Sequence, residues 1–198
     1  MKTVQSESVI VPDHNWLAEV EKKSGVKVSA CYQCKKCSAG CPVTFAMDYL
    51  PNQMLHMIQI GLKEEVLKSA TIWVCASCET CTTRCPNDID IAKIMDAMRM
   101  ASLKSGVAAG EKRVPIFHEA FLSSVKSKGR VYELGMVGQY TLKSGDAVLK
   151  LKEGSLLGEA KLGWQMFKKG KLKLFPQKIK RVRELKELFK KLTRGENA

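Results

Sequence analysis

Apolar positions recur at three- and four-residue intervals along most of the chain, the spacing of helices buried along one face. Trp16, Leu17 and Val20 form a first short stripe, which Asp13 can cap and Gly25 can end. Met54, Leu55, Ile58 and Leu62 form a second, with Pro51 suited to its first turn and Gly61 to its C-cap. A short helix over Lys63 to Lys68 follows, and then Ile91, Ile94, Met95, Met98 and Ala101 share a face that closes near Gly106. Pro115 can begin a further helix through Ile116, Phe117, Ala120, Phe121 and Val125, ending at Gly129. Glycines break Gly135 to Gly170 into short helices. Pro176 precedes a final helix from about Gln177 to Leu192, striped by Ile179, Val182, Leu185, Phe189 and Leu192. Period-two alternation is weak, so the expected fold class is mainly α.

One internal repeat stands out against this pattern. Cys31-Tyr-Gln-Cys34-Lys-Lys-Cys37-Ser-Ala-Gly-Cys41-Pro42 matches Cys75-Ala-Ser-Cys78-Glu-Thr-Cys81-Thr-Thr-Arg-Cys85-Pro86. Both read C-x₂-C-x₂-C-x₃-C-P, the bacterial run that ligates [4Fe–4S] cubes. Each cube takes four thiolates, and two-residue gaps let three successive sulfurs curl around one corner. The fourth cysteine leaves in another direction and, in two-cluster proteins with this run, completes the other cluster. The expected ligands are therefore Cys31, Cys34, Cys37 and Cys85 for one cluster, and Cys75, Cys78, Cys81 and Cys41 for a second. Neither site can then be built without both motifs, so metal loading and folding should be coupled. Zinc fits less well, because its sites pair two C-x₂-C hooks. A cysteine nucleophile leaves the repeat unexplained.

The eight cysteines raise the alternative of a disulfide framework. All of them fall between Cys31 and Cys85, and Met1 to Pro12 has no apolar stretch of the export kind. No apolar run approaches the ~20 residues that cross a bilayer. A soluble, cytoplasmic protein is expected. Formal net charge is +13, and residues 161–198 hold 13 Lys or Arg against three Glu. A solvated charged helix, a partner-binding helix and an anionic membrane surface all suit that tail, whereas a nucleic-acid motif is lacking. Nearer the cysteines the charges divide. Lys35, Lys36 and Arg84 fall beside the first expected cluster and Glu79 beside the second, which favours a higher potential at the first.

Outside the cysteines nothing reads as an active site. His14, His56 and His118 are scattered and suit a helix surface or a satisfied core position better than a ligand role. Met54, Met57, Met95, Met98 and Met100 lie at helical spacings and suit core packing. Trp73 suits either packing or shielding of a cluster.

The long helical segment between the motifs, with Trp73-Val-Cys75-Ala-Ser-Cys78 after it, resembles the α-helical ferredoxin domain. From about Val26 to Ser105 the chain is similar to the C subunits of heterodisulfide reductases. That likeness includes Ile60-Gly61-Leu62 and Ile89-Asp90-Ile91, and extends more loosely to the basic stretch from Gly170 to Lys180. The resemblance implies an α-helical ferredoxin domain over residues 31–106, preceded by an arm and short helix over 1–30. A helical extension with a basic tail follows over 107–198. It also implies an electron-transfer subunit without a substrate site, placed between an A-like flavin and iron–sulfur subunit and a B-like disulfide-reducing subunit in a hetero-oligomer. Two other readings stand beside it: the iron–sulfur subunit of a succinate dehydrogenase-like quinone reductase, and a non-redox metal-stapled adaptor.

Overall fold

The computed structural model describes residues 12–147, 154, 156–171 and 179–195. Among these the regular structure is helical and contains no strand. The chain divides into two units, Met1–Glu111 and Lys112–Ala198.

In the first unit the helices run α1 (Trp16–Ser24), α2 (Lys36–Gly40), α3 (Pro51–Gln59), α4 (Lys63–Lys68), α5 (Thr71–Val74), α6 (Thr80–Thr83) and α7 (Ile91–Ser105). Single 3₁₀ turns lie at Val28–Ala30 and Thr44–Ala46. The core is built largely on the apolar stripes read from the sequence, although Leu17, Leu62 and Ala101 are only half-buried and Ile72 joins from outside them. Met54, Leu55 and Ile58 of α3 are buried, as are Ile91, Ile94, Met95 and Met98 of α7, Trp16 and Val20 of α1, and Ile72 of α5. A buried side chain of this size contributes roughly 1.5–3 kcal/mol. Met100 departs from the expected core set at 56% exposed, because it falls outside the face of α7 that carries Met95 and Met98.

The helix ends follow local chemistry. Asp90 Oδ1 accepts from Lys93 N at 2.9 Å to cap α7, and Gly106 ends it in the left-handed region. Gln53 Oε1 accepts from Leu50 N at 2.8 Å at the start of α3, where Pro51 opens the helix. Gly61, at φ +79, follows α3 where a Cβ would lie 2.4 Å from the Asp13 carbonyl oxygen, so only glycine permits that approach. Asp13 does not cap α1 as expected. Its side chain accepts from Asn15 N at 3.1 Å, ahead of the helix, and Asn15 holds the capping position.

The second unit holds α8 (Arg113–Lys128), α9 (Glu133–Ser144), α10 (Leu156–Lys168) and α11 (Val182–Gly195). α8 and α9 pack as a hairpin, with Phe117 edge-on to Tyr140 at 6.0 Å and Ser124 Oγ accepting from Tyr132 N at 2.8 Å. α11 packs on α8, where Lys126 lies over the Phe189 ring. Two expectations are corrected here. α9 and α10 run through their internal glycines as long helices, since a glycine costs a helix only ~1 kcal/mol. The last helix begins at Val182 rather than near Gln177, and Pro176 and Gln177 lie outside the described residues.

Candidate iron–sulfur site

The two motifs fold into loops with the same backbone signature. Gln33 and Ser77, matched in the repeat, have φ of 62° and 48°, and Lys35 and Glu79, also matched, have φ of 64° and 59°. A left-handed residue other than glycine costs roughly 1–2 kcal/mol. Four of them at equivalent places mark a conformation held by its surroundings, as at functional loops. Each loop then enters a short helix, α2 or α6, carrying Cys37 or Cys81 near its start, and the two helices pack together. Gly40 and Arg84, matched again, meet where they do: a Cβ on Gly40 would lie 2.6 Å from Arg84 Cδ.

The loops enclose two neighbouring cavities. One is lined by Cys31, Cys34, Cys37 and Cys85. The other is lined by Cys41, Cys75, Cys78 and Cys81. Ile91, at the start of α7, lines both and is buried. All eight cysteines are free thiols. Among the described residues, no three His, Cys, Asp or Glu stand close enough to share a single metal ion. Four thiols set around the walls of a cavity suit a multi-atom cluster, whereas a tetrahedral zinc draws its sulfurs to one centre at about 2.3 Å.

Local environment tunes the thiols unequally. Burial pushes Cys81 up to about 11 and raises Cys37 as well, while a hydrogen bond with Thr80 lowers Cys78. Ligation requires thiolates, so filling these sites must expel the protons that burial retains.

Polar residues that the sequence left unmarked hold the loops. Gln59 Nε2 donates to the carbonyls of Val28 (3.1 Å) and Cys31 (2.9 Å), fixing the entry to the first loop. Asn52, buried on α3, donates through Nδ2 to Gln33 Oε1 at 3.1 Å, and Gln33 Nε2 lies 3.4 Å from Cys31 Sγ. Asn87, just past Cys85, donates to the Ala30 carbonyl and so ties the end of the second motif to the start of the first. Arg99 of α7 donates to the carbonyls of Ile72 and Cys75 and, at 3.4 Å, to Ser77 Oγ, bracing the second loop. Its signal in the sequence is a charge one turn beyond Met95 on a largely apolar helix. Of the two placements open to His14, His56 and His118, the structure shows the surface one, since all three are exposed. Trp73 is buried but lines neither cavity, and its Nε1 lacks a partner among the described residues.

Asp48 ties the chain after Cys41 to the segment leading into Cys75. It accepts from Ser69 Oγ (2.7 Å), Ala70 N (2.8 Å), Thr71 N (2.9 Å) and Thr71 Oγ1 (2.6 Å). Partial desolvation acts to raise its pKa, but the bonds from Thr71, Ser69 and the two amides outweigh it and hold the carboxyl below its ordinary value. A depressed pKa gives stability that is present above the ordinary aspartate value near 3.9 and is lost as pH falls through the folded one. Asp48→Asn should cost about 1 kcal/mol at neutral pH, with the difference from the parent shrinking in acid. Melting temperatures of both proteins from pH 6 downward check this, and a gap independent of pH would exclude the carboxylate as the cause.

Comparison with known proteins bears on these cavities directly. Residues 27–89, a span holding all eight cysteines, match the 4Fe-4S dicluster domain. Over 94 residues the chain is 35% identical to the iron-sulfur C subunit of the CoB–CoM heterodisulfide reductase of Methanopyrus kandleri, covering 48% of this chain and 49% of that protein. The relatives it matches here are named as C subunits of heterodisulfide reductases. Another, the second such iron-sulfur C subunit of Methanocaldococcus jannaschii, is 32% identical over 108 residues, 54% of this chain and 58% of its own. The C subunit of the H(2):CoB-CoM heterodisulfide,ferredoxin reductase of Methanothermobacter marburgensis matches at 26% over 153 residues, 74% of this chain and 71% of its own. The chain thus spans about half to seven-tenths of the length of these relatives. The dicluster domain and the eight cysteines make this an iron–sulfur electron-transfer protein with two [4Fe–4S] clusters. Among the described residues no helix is long and apolar enough to cross a membrane.

Proposed function

We propose that the chain is the electron-relay subunit of a multi-subunit oxidoreductase resembling heterodisulfide reductase. Its partners in this reading are an A-like flavin and iron–sulfur subunit and a B-like subunit that reduces a disulfide. The carrying observation is the pair of adjacent four-cysteine cavities, each with three sulfurs from one motif and one from the other. That arrangement supports Cys31, Cys34, Cys37 and Cys85 as ligands of one cluster and Cys41, Cys75, Cys78 and Cys81 as ligands of the second.

The clusters supply reversible one-electron oxidation and reduction when bound. The protein's part is to hold and insulate them. Val43, Met47, Pro51, Ala92 and Met95 keep water from the inner wall of one cavity, and Ile91 separates the two while keeping them neighbours. Exposed Cys34 and Cys78 set one edge of each cavity at the surface, where a partner protein can approach. The likeness to named C subunits supports the partner assignment.

Anaerobic reconstitution with iron and sulfide assay tests the cofactor content. About eight iron per chain, with EPR signals from two interacting [4Fe–4S] centres on reduction, is the expected result. Two zinc and no EPR signal would overturn the relay. Co-expression with tagged A-like and B-like subunits then tests the partners: a ternary complex on size exclusion is expected, and failure to bind either subunit would refute that assignment.

A further inference from the structure

Two loops of one shape give a controlled comparison within a single chain. Lys35 and Glu79 stand at the same place in the repeat, both just past the second cysteine, both left-handed and both exposed. Their backbones agree to within the scatter of ordinary loops, so the difference between them is charge. Lys35 also lines the cavity of Cys31, Cys34, Cys37 and Cys85.

Both cavities are mostly apolar inside, with Leu55 on one wall and Met95 on the other, and they differ in the polar residues that border them. The Lys35 cavity is lined by Gln33 and Asn52, and Gln33 Nε2 reaches Cys31 Sγ at 3.4 Å. An open groove bordered by Lys35, Ser38, Asn52 and Gln53 runs along its flank and admits water there. The cavity on the Glu79 side, which Glu79 borders without lining, is walled by Val43, Met47, Pro51, Ala92 and Met95, with Ser77 its polar residue besides the cysteines. Ligand exposure does not separate the two, since Cys34 and Cys78 are both exposed. Neither does Thr80, whose hydroxyl meets Cys78 Sγ at 3.4 Å and balances Gln33. Arg99 braces the second loop and brings a positive charge, but Asp96 pairs with it at 2.6 Å and offsets that charge.

Positive charge, amide dipoles and water all stabilise the more negative, reduced form of an iron–sulfur centre, whereas an apolar wall and a carboxylate oppose it. We infer that Lys35, with Gln33 and Asn52, makes the Cys31–Cys34–Cys37–Cys85 site the higher-potential of the two, and that Glu79 lowers the other. The inference rests on the two-cluster reading and adds a direction to it: the residues of the first loop favour the electron at their site over the second. Arg84 contributes less than its sequence position suggests, because its side chain lies across Gly40 on α2.

The test is an EPR-monitored redox titration of the full chain and its charge swaps. Lys35→Glu and Glu79→Lys place at each loop the residue that the other loop already carries in the same backbone conformation, so both variants retain a geometry this chain tolerates. Lys35→Glu should lower the higher midpoint alone, and Glu79→Lys should raise the lower one alone. Each change is about tenfold in the reduced-to-oxidised ratio, or about 59 mV for a one-electron couple. Lys35→Arg should leave the higher midpoint in place. A shift of the lower midpoint by Lys35→Glu, or no shift from either swap with about eight iron bound, overturns this inference alone. Iron well below eight in the unsubstituted chain overturns the two-cluster reading and this inference with it.

Discussion

Replacing Cys85 with serine is expected to damage the site of the first motif, not that of the motif in which Cys85 lies. Cys85 shares its cavity with Cys31, Cys34 and Cys37, some fifty residues earlier, and Cys41 shares its cavity with Cys75, Cys78 and Cys81. The exchange is held at both ends by hydrogen bonds. Asn87 reaches back to Ala30, and Asp48 reaches forward to Ser69, Ala70 and Thr71. Losing one of four thiolates removes a ligand that serine replaces poorly, so iron should fall from about eight toward about four per chain. The EPR signal that survives in Cys85→Ser should be the one that survives in Cys34→Ser, and Cys41→Ser should pair with Cys78→Ser in the same way. If Cys85→Ser instead matches Cys78→Ser, each motif builds its own cluster and the crossed assignment fails. The comparison depends on which signal persists, so a general loss of stability does not imitate it.

Arg99→Met should have the second largest effect, and on the other site. The side chain is 16% exposed and bonds the carbonyls of Ile72 and Cys75, on the turn into the second loop. Hydrogen bonds to a charged group contribute about 1.5–3 kcal/mol each, and a carbonyl left without a donor costs further. A loss of about 3 kcal/mol is expected, together with faster release of iron from the Cys75 side when a chelator is added. Arg99→Lys should recover only part of this, because an ammonium does not reproduce the planar fork that spans two carbonyls. Equal iron release from both sites, or a melting temperature unchanged from the parent, would remove Arg99 from its bracing role.

Much of this protein is legible in its sequence because the signals are local. The stripe of Met54, Leu55 and Ile58 and the stripe of Ile91, Ile94, Met95 and Met98 reflect a 3.6-residue period, and the structure buries both. Gly25, Gly61, Gly106 and Gly129 read as helix stops, and all four lie in the left-handed region. Local reading fails where packing overrides propensity. Glycines within α9 suggest a break, but its tertiary contact with α8 outweighs a cost of ~1 kcal/mol per glycine. Met100 follows the helical period loosely and falls on the wet face.

The sequence by itself determined the chemistry. Two runs of four cysteines at iron–sulfur spacing name the cofactor, because the gaps between thiolates in one loop are set by a few neighbouring dihedral angles. The tertiary structure decided what spacing cannot encode. It brought Cys85 to the first loop and Cys41 to the second, set Ile91 between them, and placed Gln59, Asn87, Asp48 and Arg99 on backbone groups far away in sequence. It also made Lys35 and Glu79 comparable, by giving them one backbone conformation beside two differently walled cavities. Those relations depend on how the helices between and after the motifs pack, and a polar side chain carries no mark of the distant carbonyl it will meet.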